Sequence, residues 1–106
     1  MKRILVFALV MLNSAALQAS TITSQVLTIR SNATPAGGTR VSVQLSGTTD
    51  CPVQSWYSFE YVDGVGKVWV ASLLAAQASA RQVTISGTGS CDQIGLETVY
   101  YIDALP

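Results

Sequence analysis

Two cysteines, Cys51 and Cys91, constrain this 106-residue chain more than any other feature, because they admit a single intrachain pairing. Whether they pair depends on compartment, and the N-terminus speaks to that. Met1-Lys2-Arg3 leads into an apolar run, Ile4 to Leu12, and then into Asn13-Ser14-Ala15-Ala16-Leu17-Gln18-Ala19. Basic, apolar, then small and polar is the order of a secretory signal peptide. The apolar run covers nine residues, against about 20 for a spanning helix, so a cleaved leader is favoured over a permanent anchor. Cleavage is expected after Ala19, with Leu17 at the third position back; a cut after Ala16 is the alternative. An exported chain, periplasmic or secreted, meets oxidising conditions, and a structural Cys51–Cys91 disulfide follows. It would close a loop of 41 residues counted inclusively, which chain entropy values at about 4 kcal/mol.

Removing residues 1–19 leaves a single domain, residues 20–106, of 87 residues. A domain that small buries only about 60% of its unfolded surface and benefits from a covalent tie. The whole chain is 49% hydrophobic and 11% charged, too apolar for a disordered segment. The mature part carries four bases (Arg30, Arg40, Lys67, Arg81) against six acids (Asp50, Glu60, Asp63, Asp92, Glu97, Asp103). Four scattered bases cannot neutralise a run of phosphates, so no nucleic-acid partner is expected. Histidine is absent, which removes the Ser-His-acid triad, the Cys-His pair and histidine-ligated zinc. No cofactor or metal is implied, and the chain is not read as an enzyme.

The mature sequence is mainly β. Thr21 to Arg30 is rich in β-branched residues and predicts a first strand. Residues 31–39, with Pro35 and the Gly37-Gly38 pair, predict a loop, in which Asn32-Ala33-Thr34 matches a glycosylation acceptor. Arg40 to Ser46 alternates cleanly, Val41, Val43 and Leu45 on one face and Arg40, Ser42, Gln44 and Ser46 on the wet one. A turn-rich connection through Cys51-Pro52 follows. Trp56 to Val62 is a third strand, with Tyr57, Phe59 and Tyr61 opposite Trp56, Ser58, Glu60 and Val62. Residues 67–81, rich in alanine and leucine, predict a packed helix. Its candidate inner faces are Val70, Leu73, Leu74 and Gln77, or the overlapping Trp69, Leu73 and Ala76. Gln82 to Ser86 is a fourth strand, residues 87–95 a connection, and Glu97 to Leu105 a fifth strand.

The resulting order, β-β-β-α-β-β with one disulfide, predicts an α+β, mainly β domain: a small OB-like antiparallel barrel or an open sheet carrying one helix. Cys51-Pro52, the Leu73-Leu74-Ala75-Ala76 segment, Gly89-Ser90-Cys91 and Glu97 to Ile102 together resemble small exported bacterial OB-fold proteins, the binding (B) subunits of AB5 toxins and of subtilase cytotoxin among them. The resemblance covers most of residues 21–105 and implies a binding subunit, without carrying any sugar-binding residue over to this sequence. The disulfide strains a simple barrel. One cysteine falls between strands two and three, the other between strands four and five, and their Cα atoms must come within about 4.4–6.8 Å. Either the second strand bends or the sheet stays open.

Among candidate functional groups, Asp50 and Asp92 flank the two cysteines and are expected to hydrogen-bond turn amides. A calcium site there lacks the about six to eight oxygens required. Glu60 and Glu97 are expected at solvent-facing strand positions. The stronger lead is aromatic. Alternation sends the neighbours Trp56/Tyr57 and Tyr100/Tyr101 to opposite faces, so one of each pair can fill the core while the other meets solvent. The expected function is that of an exported, non-catalytic binding module. It would recognise a glycan or protein partner through loops 31–39 and 87–95, with Trp56, Tyr57, Tyr100, Tyr101, Asp92 and Gln93 as candidate contacts. The alternatives are a self-associating subunit, such as a homo-oligomeric ring using sheet edges and the alanine-rich helix, and a hydrolase working with carboxylates alone.

Overall fold

A computed structural model describes residues 19–62 and 64–106; the expected leader, apart from Ala19, lies outside the described residues. Five strands and one helix follow in the expected sequence: β1 (Thr21–Ala33), β2 (Thr39–Leu45), β3 (Trp56–Glu60), α1 (Val65–Ala78), β4 (Gln82–Cys91) and β5 (Glu97–Ala104). The sheet closes into a barrel in the order β1-β2-β3-β5-β4, so the order around the barrel departs from the order along the chain. Four of the five pairings are antiparallel. The fifth, β3 with β5, is parallel and short, Tyr57 opposite Glu97 and Ser58 opposite Thr98, where an antiparallel sheet was expected.

That parallel pair resolves the strain on the disulfide. Parallel neighbours start at the same end of a sheet, so the connection leading into β3 and the turn leading into β5 must lie together. The Val53 amide donates to the Gly95 carbonyl at 2.9 Å across that junction. The Cys51 and Cys91 Cα atoms stand 5.7 Å apart and are bridged. No bent second strand or open sheet is required.

The core fills by alternation. Val41, Val43 and Leu45 point inward from β2, Tyr57 and Phe59 from β3, and Val83 and Ile85 from β4, all buried. Helix α1 spans residues 65–78 rather than 67–81 and packs on β1, β4 and β5. Of its two candidate faces the barrel takes the second: Gly66, Leu73 and Ala76 are buried, and Trp69 meets Phe59 edge-to-face at 5.2 Å. Leu74 and Gln77 face outward. Among the described residues no helix is long and apolar enough to cross a membrane.

Two bulges decide which residues face out. On β1 the register slips between Val26 and Thr28. An extra residue in one strand reverses the alternation beyond it. Ile22, Ser24 and Val26 therefore point inward before the slip, Leu27 is extruded, and Thr28, Arg30 and Asn32 point outward after it. On β5, Ser86 pairs with Tyr101 and Gly87 with Val99, leaving Tyr100 as the extra residue. Tyr100 and Tyr101 are consequently both exposed, 69% and 40%, with ring centroids 5.9 Å apart. The expectation that one of them fills the core is overturned.

Glu97 corrects a second expectation. It is fully buried rather than solvent-facing. Its carboxylate accepts hydrogen bonds from the Ser20 amide (3.1 Å), the Ser20 hydroxyl (2.5 Å) and the Gly89 amide (3.3 Å). The side chain lies so close over Gly87 that a Cβ there would stand 1.7 Å from Oε2. Only a glycine leaves room for it.

The bridge and this close approach each give a measurable consequence. Replacing Cys51 and Cys91 together by serine should lower unfolding free energy by about 2–5 kcal/mol in urea titrations; equal midpoints with and without the bridge would contradict that. Gly87→Ala must displace the Glu97 carboxylate and should cost about 2–3 kcal/mol or more. A melting temperature within error of the parent would show that the carboxylate is not held there.

Candidate functional site

The outward residues of three adjacent strands form a polar face. Register sets Thr28, Arg30 and Asn32 of β1 beside Gln44, Ser42 and Arg40 of β2, and these beside Trp56, Ser58 and Glu60 of β3. The β1 bulge is what brings Arg30 onto this face. Its guanidinium lies over the Trp56 ring, 4.8 Å from the centroid. A cation over an indole face is attracted by the ring quadrupole, and the contact fixes the plane of the indole.

Two turns overhang the face. The β1–β2 turn is tighter than the expected loop 31–39, because Ser31, Asn32 and Ala33 remain paired with β2. Residues 34–38 close it through Thr34, whose amide donates to the Gly38 carbonyl and whose hydroxyl accepts from the Gly38 amide. On the other side, β4 runs through Cys91, so the expected loop 87–95 shrinks to residues 92–96. Asp92 organises that turn. Its Oδ1 accepts from the Ile94 and Leu96 amides, both at 2.9 Å, and Gly95 supplies the positive φ the turn needs. This is the turn-amide role expected of Asp92.

The other carboxylate oxygen of Asp92 turns to the face. Ser58 Oγ donates to Oδ2, and Arg40 Nε lies 3.7 Å from the same oxygen. Burial alone would raise the Asp92 carboxyl. The Ser58, Leu96 and Ile94 hydrogen bonds and the Arg40 charge outweigh it and hold the group below its ordinary value. Between the turns lies a cleft of about 490 Å³ whose walls include Pro35, Arg40, Ser58, Asp92 and Gln93. A second hollow of about 390 Å³ on the same face is lined by Arg30, Asn32, Ser42, Trp56 and Ile94.

The six candidate contacts are divided by this arrangement. Trp56, Asp92 and Gln93 come to one face. Tyr57 points into the barrel and is fully buried; its hydroxyl meets the Ser20 hydroxyl at 2.9 Å. Burial raises the phenol above its ordinary value, the Ser20 hydrogen bond opposes this, and the charges of Glu97 and Asp50 add to it. Tyr100 and Tyr101 lie on β5 where it pairs with β4, away from the two clefts. Arg30, Arg40, Ser42 and Ser58 join the face without being among the expected contacts. The wet-face alternation of β2 and β3 marks three of them, and Arg30 depends on the bulge. Among the described residues no group of three or more His, Cys, Asp or Glu is placed to hold a metal ion.

No protein-family model, curated protein or solved structure matches this chain.

The depressed Asp92 group makes the turn acid-sensitive. Its contribution to stability is complete above the unfolded-state pKa of about 3.9 and is lost as pH falls through the lower native value. Asp92→Asn should flatten the stability profile over that interval, and Asp92→Ala should cost about 2–3 kcal/mol at neutral pH. Parallel acid profiles for parent and Asn variant, followed by circular dichroism, would refute this role.

Proposed function

We propose that the protein is an exported, non-catalytic binding module of OB-like architecture, and that the outer face of β1, β2 and β3 holds a glycan. The order β1-β2-β3-β5-β4 with a helix between β3 and β4 supports the OB reading, and with it the resemblance to toxin binding subunits. The single observation that carries the function is the composition of the overhung face. A half-buried indole held by Arg30 adjoins Ser42, Ser58, Gln93 and the Arg40–Asp92 pair. Sugar rings offer an apolar C–H face and a rim of hydroxyls. An apolar indole surface matches the first, and paired donors and acceptors in fixed orientation match the second. A hydroxyl can accept from Arg40 and donate to Asp92 at once, which a purely apolar peptide anchor would not exploit. The leader sequence and the disulfide support export.

Glycan-array screening of the disulfide-bonded protein should find a carbohydrate ligand, with Trp56→Ala and Arg40→Ala each weakening it by at least about tenfold, or about 1.4 kcal/mol. Tyr100→Ala should leave affinity within about twofold. Capture of a protein partner through the same face, with an empty array, would replace the glycan reading; a concentration-dependent mass in light scattering without any ligand would favour a self-associating subunit.

A further inference from the structure

Glu97 is a buried carboxylate held by three neutral donors, two of them from one residue, Ser20. Every polar atom of Ser20 is engaged in the barrel. Its amide and hydroxyl donate to Glu97, its hydroxyl also meets Tyr57, and its carbonyl accepts from the Gly87 amide at 2.9 Å and from the Tyr57 hydroxyl at 3.2 Å. Ala19, one residue earlier, is exposed. The chain thus passes from solvent into a fully bonded, half-buried position at the bond where the leader is expected to be cut. The donors to Glu97, two from Ser20 and one from Gly89, are all neutral.

We propose that hydrolysis of the Ala19–Ser20 bond creates the cationic partner of Glu97: the new α-ammonium of Ser20 occupies the place of the amide nitrogen 3.1 Å from Oε2. The inference rests on the export reading, since a leader peptidase of the exporting membrane performs the cut. Water supplies the atoms. Its oxygen bonds to the Ala19 carbonyl carbon as the C–N bond breaks, and its hydrogens redistribute so that the leader leaves as a carboxylate and Ser20 keeps an ammonium. One neutral donor becomes a charged one with three protons, facing a carboxylate shielded from water. Charge-assisted hydrogen bonds are about twice as strong as neutral ones, and removing a partner from a buried charge is strongly destabilising. The precursor consequently has the less stable fold, and processing locks the barrel once the leader has gone.

The test compares three oxidised forms of the chain from Ser20 to Pro106: a free α-amine, an Nα-acetylated Ser20, and a Gly-Ala extension in front of Ser20. Each is prepared with Glu97 and with Glu97→Gln. With Glu97 present, acetylation or extension should raise the unfolding equilibrium constant at neutral pH at least tenfold. With Gln the difference should fall below twofold. An equal effect in both backgrounds, or none with Glu97, overturns the ion pair. Should Glu97→Gln fail to fold, the rate of α-amine acylation by an activated ester in the parent gives the answer. The native amine should react at least tenfold more slowly than in the urea-unfolded chain, and equal rates would refute the pairing. The intact mass of protein recovered after expression with its leader reads the cut separately: a mature end at Ser20 supports the assignment, an end at Leu17 overturns it, and a retained leader sinks the export reading while leaving the ion pair to be judged on the defined chains.

Discussion

Two residue pairs in parallel register, Tyr57 with Glu97 and Ser58 with Thr98, govern the rest of the molecule. A barrel closed by antiparallel pairing alone would place the entrance to β3 and the entrance to β5 at opposite ends. The parallel contact puts them side by side, and three consequences follow. Cys51 reaches Cys91. Asp92, one residue beyond the bridge, reaches Ser58 on the outer surface. Glu97, facing inward at the start of β5, is set beside Tyr57 and Ser20. Bridge, polar face and buried carboxylate are three readouts of one pairing.

The disulfide is the covalent form of this constraint. A short parallel contact is a weak closure, with few hydrogen bonds to resist opening, and it joins segments about 40 residues apart in sequence, whose meeting costs loop entropy. A bridge across the same junction removes that entropy from the unfolded chain. It also ties the 46–55 connection to the 92–96 turn, so the walls of the outer face are held by a bond rather than by loop packing alone. Sites on a braced scaffold keep their geometry before a ligand arrives, which lowers the ordering cost of binding.

Much of this was legible in the sequence because alternation is a strong local signal. Val41, Val43 and Leu45 opposite Arg40, Ser42 and Gln44 placed the core side of β2 correctly, and the same reasoning placed Val83 and Ile85; the opposite side of β2 points out of the barrel but is overhung rather than wet, with Ser42 buried. The failures have a common physical origin. Alternation counts residues, and a bulge adds one without marking itself. Past Leu27 the count reverses and carries Arg30 to the outer face; at Tyr100 it reverses again and leaves both tyrosines in solvent. The turns are shorter than composition suggests for a related reason, since Ser31, Asn32 and residues 87–91 have loop-like composition yet belong to paired strands that composition does not reveal. The inward setting of Glu97 is not legible locally because its partners, Ser20 and Gly89, lie 77 and 8 residues away. Gly87 was the available clue: a glycine within a β-rich run signals a close approach, and the approaching group is that carboxylate.

The segment from Cys91 to Glu97 explains why an acid is tolerated in so small a core. Within seven residues the chain supplies a covalent tie, an outward carboxylate that organises the turn, and an inward carboxylate that draws in the N-terminal end of β1. An aliphatic residue at position 97 would leave the half-buried amides of Ser20 and Gly89 without this acceptor, and the Ser20 hydroxyl with only Tyr57 as its partner. Asp92 and Glu97 therefore divide the work of the junction between the two sides of the sheet. One carboxylate shapes the overhung outer face, and the other holds the residue that leads into β1.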